Sequence, residues 1–473
     1  MESNIKTAGT GWVALFAADN RLKAIALSLG VLLHVINVYL STTVMPSIVK
    51  EIGGLAYYAW NTTAFVVASI IGSVISAHQM ALKGPRKSYR MAILLFATGT
   101  VICTFSPVMF VMLAGRFVQG LGGGLLCALS YAMIRIIFEE PLWARAMALV
   151  SGMWGIGAFM GPFIGGLFAE FDLWRMAFAT ILVSSVGLMM LTERILPSEQ
   201  VNSSPSRIPW SKLLLLTGAA SAVSIGSVME GMMANLSGVV IASAFLISLV
   251  ISEKGSKPRL LPTGAYSLKT AIGTTYAVMV LFALVAVIEI FVPYFAQVIY
   301  HFSPLQAGYL TVLLALGWSA GSLSFAGVQA NKLKLLLITG ALLAGTALAG
   351  LAVLTAMDAP AGGLFLTCLF LLLAGMGIGI SWPHLIVRVF SLANPNEIEL
   401  TSASVTTVQL LAMAMGAASG GLIANAGGMT NPGGIAGARS ASILLYSCYT
   451  AAPVVVLMII LFNRNFSRAD IEK

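Results

Sequence analysis

Residues 270–299 read TAIGTTYAVMVLFALVAVIEIFVPYFAQVI, a run with a single charged residue, Glu289. A helix needs about 20 consecutive apolar residues to cross the hydrocarbon core of a bilayer, and this run exceeds that length. Runs of the same kind recur along the chain. They predict membrane-spanning helices at 24–46, 57–80, 90–107, 109–138, 143–168, 174–192, 212–230, 234–252, 270–299, 304–328, 334–356, 361–386, 401–425 and 440–463. The composition agrees. Hydrophobic residues make up 58% of the 473 and charged residues only 9%, against about 45–50% and about 25% in a soluble domain. So few charges cannot clothe a water-soluble surface, and the expected fold is an all-α integral membrane protein.

The basic residues test the count. With the N-terminus in the cytoplasm, even-numbered spans return the chain inside, and 22 of the 26 Lys and Arg then fall on cytoplasmic segments. Lys50, Arg175 and Arg439 fall outside, and Arg116 lies within span four. This positive-inside bias supports an even count with both termini cytoplasmic. It also accounts for the net charge of +9 without nucleic acid. Removing the short pair 212–230 and 234–252 would preserve the asymmetry, so the loops alone allow twelve spans or fourteen. Cys103, Cys127, Cys368 and Cys448 lie in apolar runs without metal-ligand spacing, and no metal or cofactor is expected. Trp12, Leu15 and Phe16, in the leading tail, suit the membrane surface.

Glycine patterns repeat at an offset of eight spans. Gly120-Leu-Gly122-Gly-Gly124 in span four matches Gly375-Met-Gly377-Ile-Gly379 in span twelve, and Gly161-Pro-Phe-Ile-Gly165-Gly166 in span five matches Gly416-Ala-Ala-Ser-Gly420-Gly421 in span thirteen. The offset fits two six-helix pseudo-repeat halves around an inserted hairpin, an architecture of transporters. The expected organisation is a cytoplasmic tail at 1–23, a first half at 24–192, a linker at 193–211, a two-helix hairpin with its cytoplasmic loop at 212–269, a second half at 270–463 and a tail at 464–473.

The runs Arg116-Phe-Val-Gln119-Gly120-Leu-Gly122-Gly123-Gly124 and Gly157-Ala-Phe-Met-Gly161-Pro162-Phe-Ile-Gly165-Gly166, with Trp174-Arg175 and the Ser303–Gly308 turn, resemble the fourteen-span drug:proton antiporter branch of the major facilitator superfamily. The resemblance covers nearly the whole chain. It implies proton-coupled export, with Arg116 taking part in proton transfer and Pro162 bending span five to shape an outward-facing seal. Two positions depart from the pattern. The loop after span two keeps the basic Lys83, Arg86, Lys87 and Arg90 but lacks the family's Gly and Asp, and the span-one Asp is replaced by Asn37.

Glu289 is the residue most suggestive of chemistry. An intramembrane carboxylate costs a few kcal/mol, so the group favours its protonated form wherever water is withdrawn. Pro293 and Gln297 follow at helical spacing. A structural hydrogen bond between helices is the competing reading. Arg116 needs a carboxylate, carbonyl or water partner, and Gln119 and Gly120 share its face. His34, Asn37 and Ser41 form a polar stripe suited to a substrate cavity or to interhelical hydrogen bonds, and His34 is a candidate to assist proton transfer. His384, Gln409 and Gln297 are further cavity candidates. Gly120, Gly157, Gly161, Pro162, Gly165 and Gly166 read as packing residues with a conformational role. The Gly120–Gly124 run lacks the Lys-Ser/Thr of a phosphate loop.

These readings point to a monomeric secondary transporter in the cell's inner or plasma membrane, not an enzyme, that exports small amphipathic compounds in exchange for protons. A dedicated siderophore or metabolite exporter is the alternative. A membrane enzyme or sensor is remote, since the spans carry neither HExxH nor a clustered His/Asp set.

Overall fold

The computed structural model describes residues 12–197, 208–229, 231–255, 258–325, 327–328, 330–357, 363–463 and 466. A short turn, α1 (Trp12–Leu15), precedes the first long helix. Leu15 turns into the core, whereas Trp12 and Phe16 stay exposed. The long helices of the first half are α2 (Ala18–Ile52), α3 (Trp60–Thr104), α4 (Met109–Ile137), α5 (Trp143–Glu170) and α6 (Trp174–Ile195). The hairpin is α7 (Trp210–Val228) and α8 (Met232–Gly255); Glu230, at its tip, lies outside the described residues. The second half comprises α9 (Ala271–Ala286), α10 (Val292–Tyr300), α11 (Pro304–Phe325), α12 (Leu333–Ala356), α13 (Gly363–Ser391), α14 (Ile398–Ala426) and α15 (Gly434–Phe462).

Among the described residues, 13 helical stretches are long and apolar enough to cross a membrane, and one of them, Leu55–Thr104, is 50 residues long. A straight helix of that length would reach about 75 Å, over twice the roughly 30 Å hydrocarbon core. It is folded back on itself. Gly84 sits at φ 76°, ψ 170°, non-helical values that glycine adopts without strain, and Pro85 follows. The Ser88 hydroxyl donates to the Gln79 carbonyl at 2.9 Å, across nine residues that a helix would hold about 13 Å apart. α3 therefore supplies spans two and three, which gives fourteen crossings. The face at which α2 begins is called the near face, and the opposite one the far face.

Span nine departs from the unbroken helix expected over 270–299. A 3-10 turn, Val287–Ile290, separates α9 from α10. The cause is Pro293, whose ring nitrogen cannot donate to the carbonyl four residues back. Glu289 thus sits at a break rather than within a regular helix, and the register that would align it with Pro293 and Gln297 is interrupted. α5, in contrast, runs unbroken through Pro162.

The glycine repeats are the physical basis of the two-fold likeness. A Cβ added at Gly120 or Gly124 would come within 3.0 Å of span two at Phe65 or Ser69, and one at Gly122 would meet span three at Phe96. The equivalent Gly375 and Gly379 lie against span ten at Leu314 and Trp318, and Gly377 against span eleven at Gly340. Each contact recurs eight spans later. Close backbone approach of this kind is how helices associate where no hydrophobic force drives them together.

The hairpin carries an anchor that composition did not suggest. Lys212 and Glu253 pair at 2.7 Å with both side chains 2% exposed. The Glu253 carboxylate also accepts the amides of Leu260 and Leu261 at 3.0 and 3.2 Å, and Lys212 donates to the Pro258 carbonyl at 2.5 Å. Burial, with the Glu253 charge beside it, pushes the Tyr266 hydroxyl well above its usual value, so it stays protonated. Removing one partner of a buried pair costs about 3–5 kcal/mol. Glu253→Gln is therefore expected to expose the 258–261 segment, read as faster proteolytic cleavage there and a melting temperature lowered by a few degrees.

The basic loop after span two also has a structural task. Arg86 Nε donates to the Leu196 carbonyl at 2.7 Å, and Arg90 pairs with Glu193 at 3.4 Å, which ties the near-face ends of spans two, three and six.

Candidate functional site

The two halves meet along two seams, and both are closed at the far face. At the first, Gly166 of α5 lies against Leu305 of α11, Gly308 lies against Thr43 and Pro162, and the Phe159 ring packs tilted on Tyr309 at 5.5 Å. At the second, Gly421 of α14 lies against Ala59. Between the seams an aromatic plug joins the halves. Tyr58 packs on Phe291 and Tyr294 at 5.9 and 5.5 Å, and Phe295 packs on Phe291 and Tyr446 at 6.1 and 6.0 Å.

Towards the near face the first seam opens. Residues 152, 155, 159, 162 and 166 share one face of α5 at helical spacing. The last three touch α11, yet nothing lies within 4 Å of a Cβ placed at Gly152 or Gly155. On α11 the same divergence leaves Leu316 53% and Leu323 80% exposed. Among the described residues this seam is therefore in contact at the far face and parted toward the near face.

Glu289 lies just beneath the plug, between buried Ile288 and Ile290 and two residues before Phe291. It is only half-buried, and among the described residues it makes no ion pair or hydrogen bond. It lies within electrostatic range of Tyr39, a half-buried residue of α2 in the opposite half.

The first half holds a separate polar cluster. Arg116 is 1% exposed and has no carboxylate partner among the described residues. It donates to Gln119 Oε1 at 2.5 Å and to the Asn61 carbonyl at 3.3 Å, and its guanidinium lies 4.2 Å over the Phe65 ring. Gln119 passes the chain on to Thr100 at 2.8 Å, and Asn61 donates to Ser41 at 2.8 Å. His34 stacks on the same Phe65 ring at 5.4 Å and edges Trp154 at 6.2 Å. His34 Nδ1 and both amide atoms of Asn37 are buried without a hydrogen-bond partner among the described residues.

His34, Asn37 and Ser41 thus come together with Arg116 and Gln119, but in this conformation all are closed off rather than lining open space. Gln297 and Gln409 are half-buried. His384 bonds the Phe325 carbonyl at 2.9 Å within the second half and does not join the cluster. Gly157, Gly161 and Gly165 pack against Val35, Tyr39 and Leu40 of α2. Sequence reasoning missed Tyr39, Asn61, Phe65, Thr100 and Trp154. Aromatic and small polar residues are common in membrane helices, so only their three-dimensional contacts distinguish these.

A family model described as Major Facilitator Superfamily matches residues 27–417. The chain belongs to this superfamily. It is a multi-pass membrane transporter of small molecules, not an enzyme. It is 33% identical over 442 residues to a protein of Mycobacterium tuberculosis named probable multidrug-efflux transporter, with 91% of this chain and 93% of that one covered. It is 21% identical over 385 residues to multidrug resistance protein 3 of Bacillus subtilis, covering 77% of this chain and 72% of that one. Among solved structures, a POT family transporter with 5-aminolevulinic acid matches at TM-score 0.67 and 13% identity, covering 95% of this chain and 96% of that chain. The xylose transporter XylE of E. coli, in an inward-open conformation, matches at TM-score 0.60 and 16% identity, covering 95% of this chain and 98% of that chain. These structural likenesses show the same fold over nearly the whole chain.

Arg116→Lys keeps the charge but not the planar fork that reaches Gln119 and Asn61 while stacking on Phe65. The variant is expected to transport roughly tenfold more slowly, in line with the loss of about 1.4 kcal/mol from one charge-assisted hydrogen bond, measured as initial rate at equal protein level.

Proposed function

We propose that this chain is a proton-driven exporter of small amphipathic organic compounds, working as a monomer in the plasma membrane with its near face and both termini in the cytoplasm. The observation that carries the coupling is Glu289, a carboxyl group without a partner among the described residues, beneath the far-face seal and beside a gap open to the near face. The positive-inside distribution of Lys and Arg supports the orientation, and the names of the two curated relatives support the cargo class.

In this reading the halves, with boundaries at 24–192 and 270–463, rock about the level of Glu289. When the far face opens, Glu289 meets external water and takes up a proton. Protonation removes the cost of carrying a charge through the closed intermediate. When the near face opens, as here, the proton leaves to the cytoplasm and cargo enters between the halves. A charge falling through 100 mV supplies about 2.3 kcal/mol for the return. Asn37 cannot exchange protons and the loop after span two lacks its aspartate, so coupling rests on the second half. Arg116 and its hydrogen-bonded chain orient the first half, with His34 beside it.

A dedicated exporter of one neutral or anionic metabolite is the second reading. Its support is Arg116, a buried cation without a carboxylate among the described residues, in a half that carries no buried acid at this level. Transport by the purified protein in proteoliposomes with an imposed pH gradient separates the two. Gradient-dependent movement of several unrelated dyes supports the first, and movement of a single metabolite supports the second. Gradient-independent movement of every compound contradicts proton coupling.

A further inference from the structure

The far-face end of the inserted hairpin meets both halves at one point. Trp60, the first residue of α3, donates its indole N–H to the Ser224 carbonyl of α7 at 3.0 Å. Asn425, near the end of α14, spends both amide protons there. One goes to the Ala56 carbonyl in the first half at 3.0 Å and the other to the Ser227 carbonyl of α7 at 2.9 Å. Gly421, one turn earlier on α14, lies against Ala59 and within 4.0 Å of the Ser227 hydroxyl. The last turn of α7 thus covers the α3–α14 seam.

We propose that Asn425 and Trp60 form a clasp through which the hairpin, acting as a third gating body, holds the far face shut. Ala56 and Asn425 belong to opposite halves, so this hydrogen bond cannot survive their separation. The hairpin is held to the second half at the near face too. Arg259 pairs with Glu397 at 3.5 Å, and the Thr263 amide donates to the same carboxylate at 2.8 Å, just ahead of α14. It therefore travels with the second half, and the bonds that break on opening are Asn425 to Ala56 and Trp60 to Ser224. Carbonyls 56 and 224 regain water when the seam parts, so each bond biases the equilibrium without locking it.

The test uses the full chain with its four native cysteines replaced by Ser and one reporter cysteine at a time. Thr43→Cys sits in the closed far-face seam, where Thr43 is fully buried against Gly308. Gly155→Cys sits in the near-face gap. Membrane-impermeant maleimide is applied from the side each reporter faces. Asn425→Ala is expected to raise the labelling rate at Thr43→Cys about fivefold and lower that at Gly155→Cys, the shift that one net hydrogen bond supports. Trp60→Phe, which keeps the ring and removes only the donor, is expected to move both reporters the same way. Unchanged rates at both reporters overturn the clasp. So does a rise at both, which marks a loosened fold rather than a shifted gate.

Discussion

Glu289→Gln is expected to leave the transporter folded in the membrane and unable to accumulate cargo against a gradient. Glutamine fills the same space and keeps an acceptor, so packing beneath the plug should hold. What disappears is the carboxyl group that gains and loses a proton in the proposed cycle. Uphill transport in proteoliposomes is expected to fall to the level of protein-free vesicles, roughly a hundredfold or more, because a carrier whose titrating group is gone retains no coupling to the 2.3 kcal/mol or so available per 100 mV. Downhill exchange of labelled for unlabelled cargo should persist. Glu289→Asp, with the carboxyl set back by one methylene, should retain part of the activity. Full uphill transport by Glu289→Gln would remove this residue from the mechanism.

The second large effect is expected at the seams. A Cβ at Gly166 would lie 2.7 Å from Leu305 Cα, and one at Gly421 would lie 2.7 Å from Ala59 Cβ. In both cases the obstacle is at or next to backbone of the other half, so the helices themselves must part. Gly166→Val and Gly421→Val are expected to prevent far-face closure while leaving each half intact. Transport should drop at least about tenfold, since a clash of one to three kcal/mol at a closed seam depopulates that state accordingly. The Thr43→Cys reporter should label quickly in both. Normal transport by either valine variant would show that the seam is not closed during the cycle.

Much of the architecture was legible in the sequence because the bilayer forces it. Spans must be apolar over their whole length and loops must carry the positive charge, so both leave linear traces. The glycine repeats at Gly120–Gly124 and Gly375–Gly379 were legible for the same kind of reason, since only a missing side chain lets spans four and twelve approach their neighbours. The 3-10 turn at Glu289 was hidden because the sequence shows Pro293 but not which carbonyl loses its partner. The Lys212–Glu253 anchor joins residues forty-one positions apart at the two ends of a hairpin and has no local signature. The Arg116–Gln119 bond was readable from its spacing within one helix. The Arg116 contacts to Asn61 and Phe65, and the clasp at Asn425, depend on how separate helices pack.

In the proposed cycle the two halves exchange a sealed far face for a sealed near face about Glu289. Spin-label distances between α11 and α5, including the residue that follows α5, measure this exchange, with one pair at Met147 and Leu323 near one end and another at Phe171 and Gln306 near the other, all exposed positions. Acidification of the far side in the presence of cargo is expected to shorten the Met147–Leu323 distance and lengthen the Phe171–Gln306 distance in the same population. Both distances changing in the same direction, or neither changing under any condition that supports transport, would contradict the account.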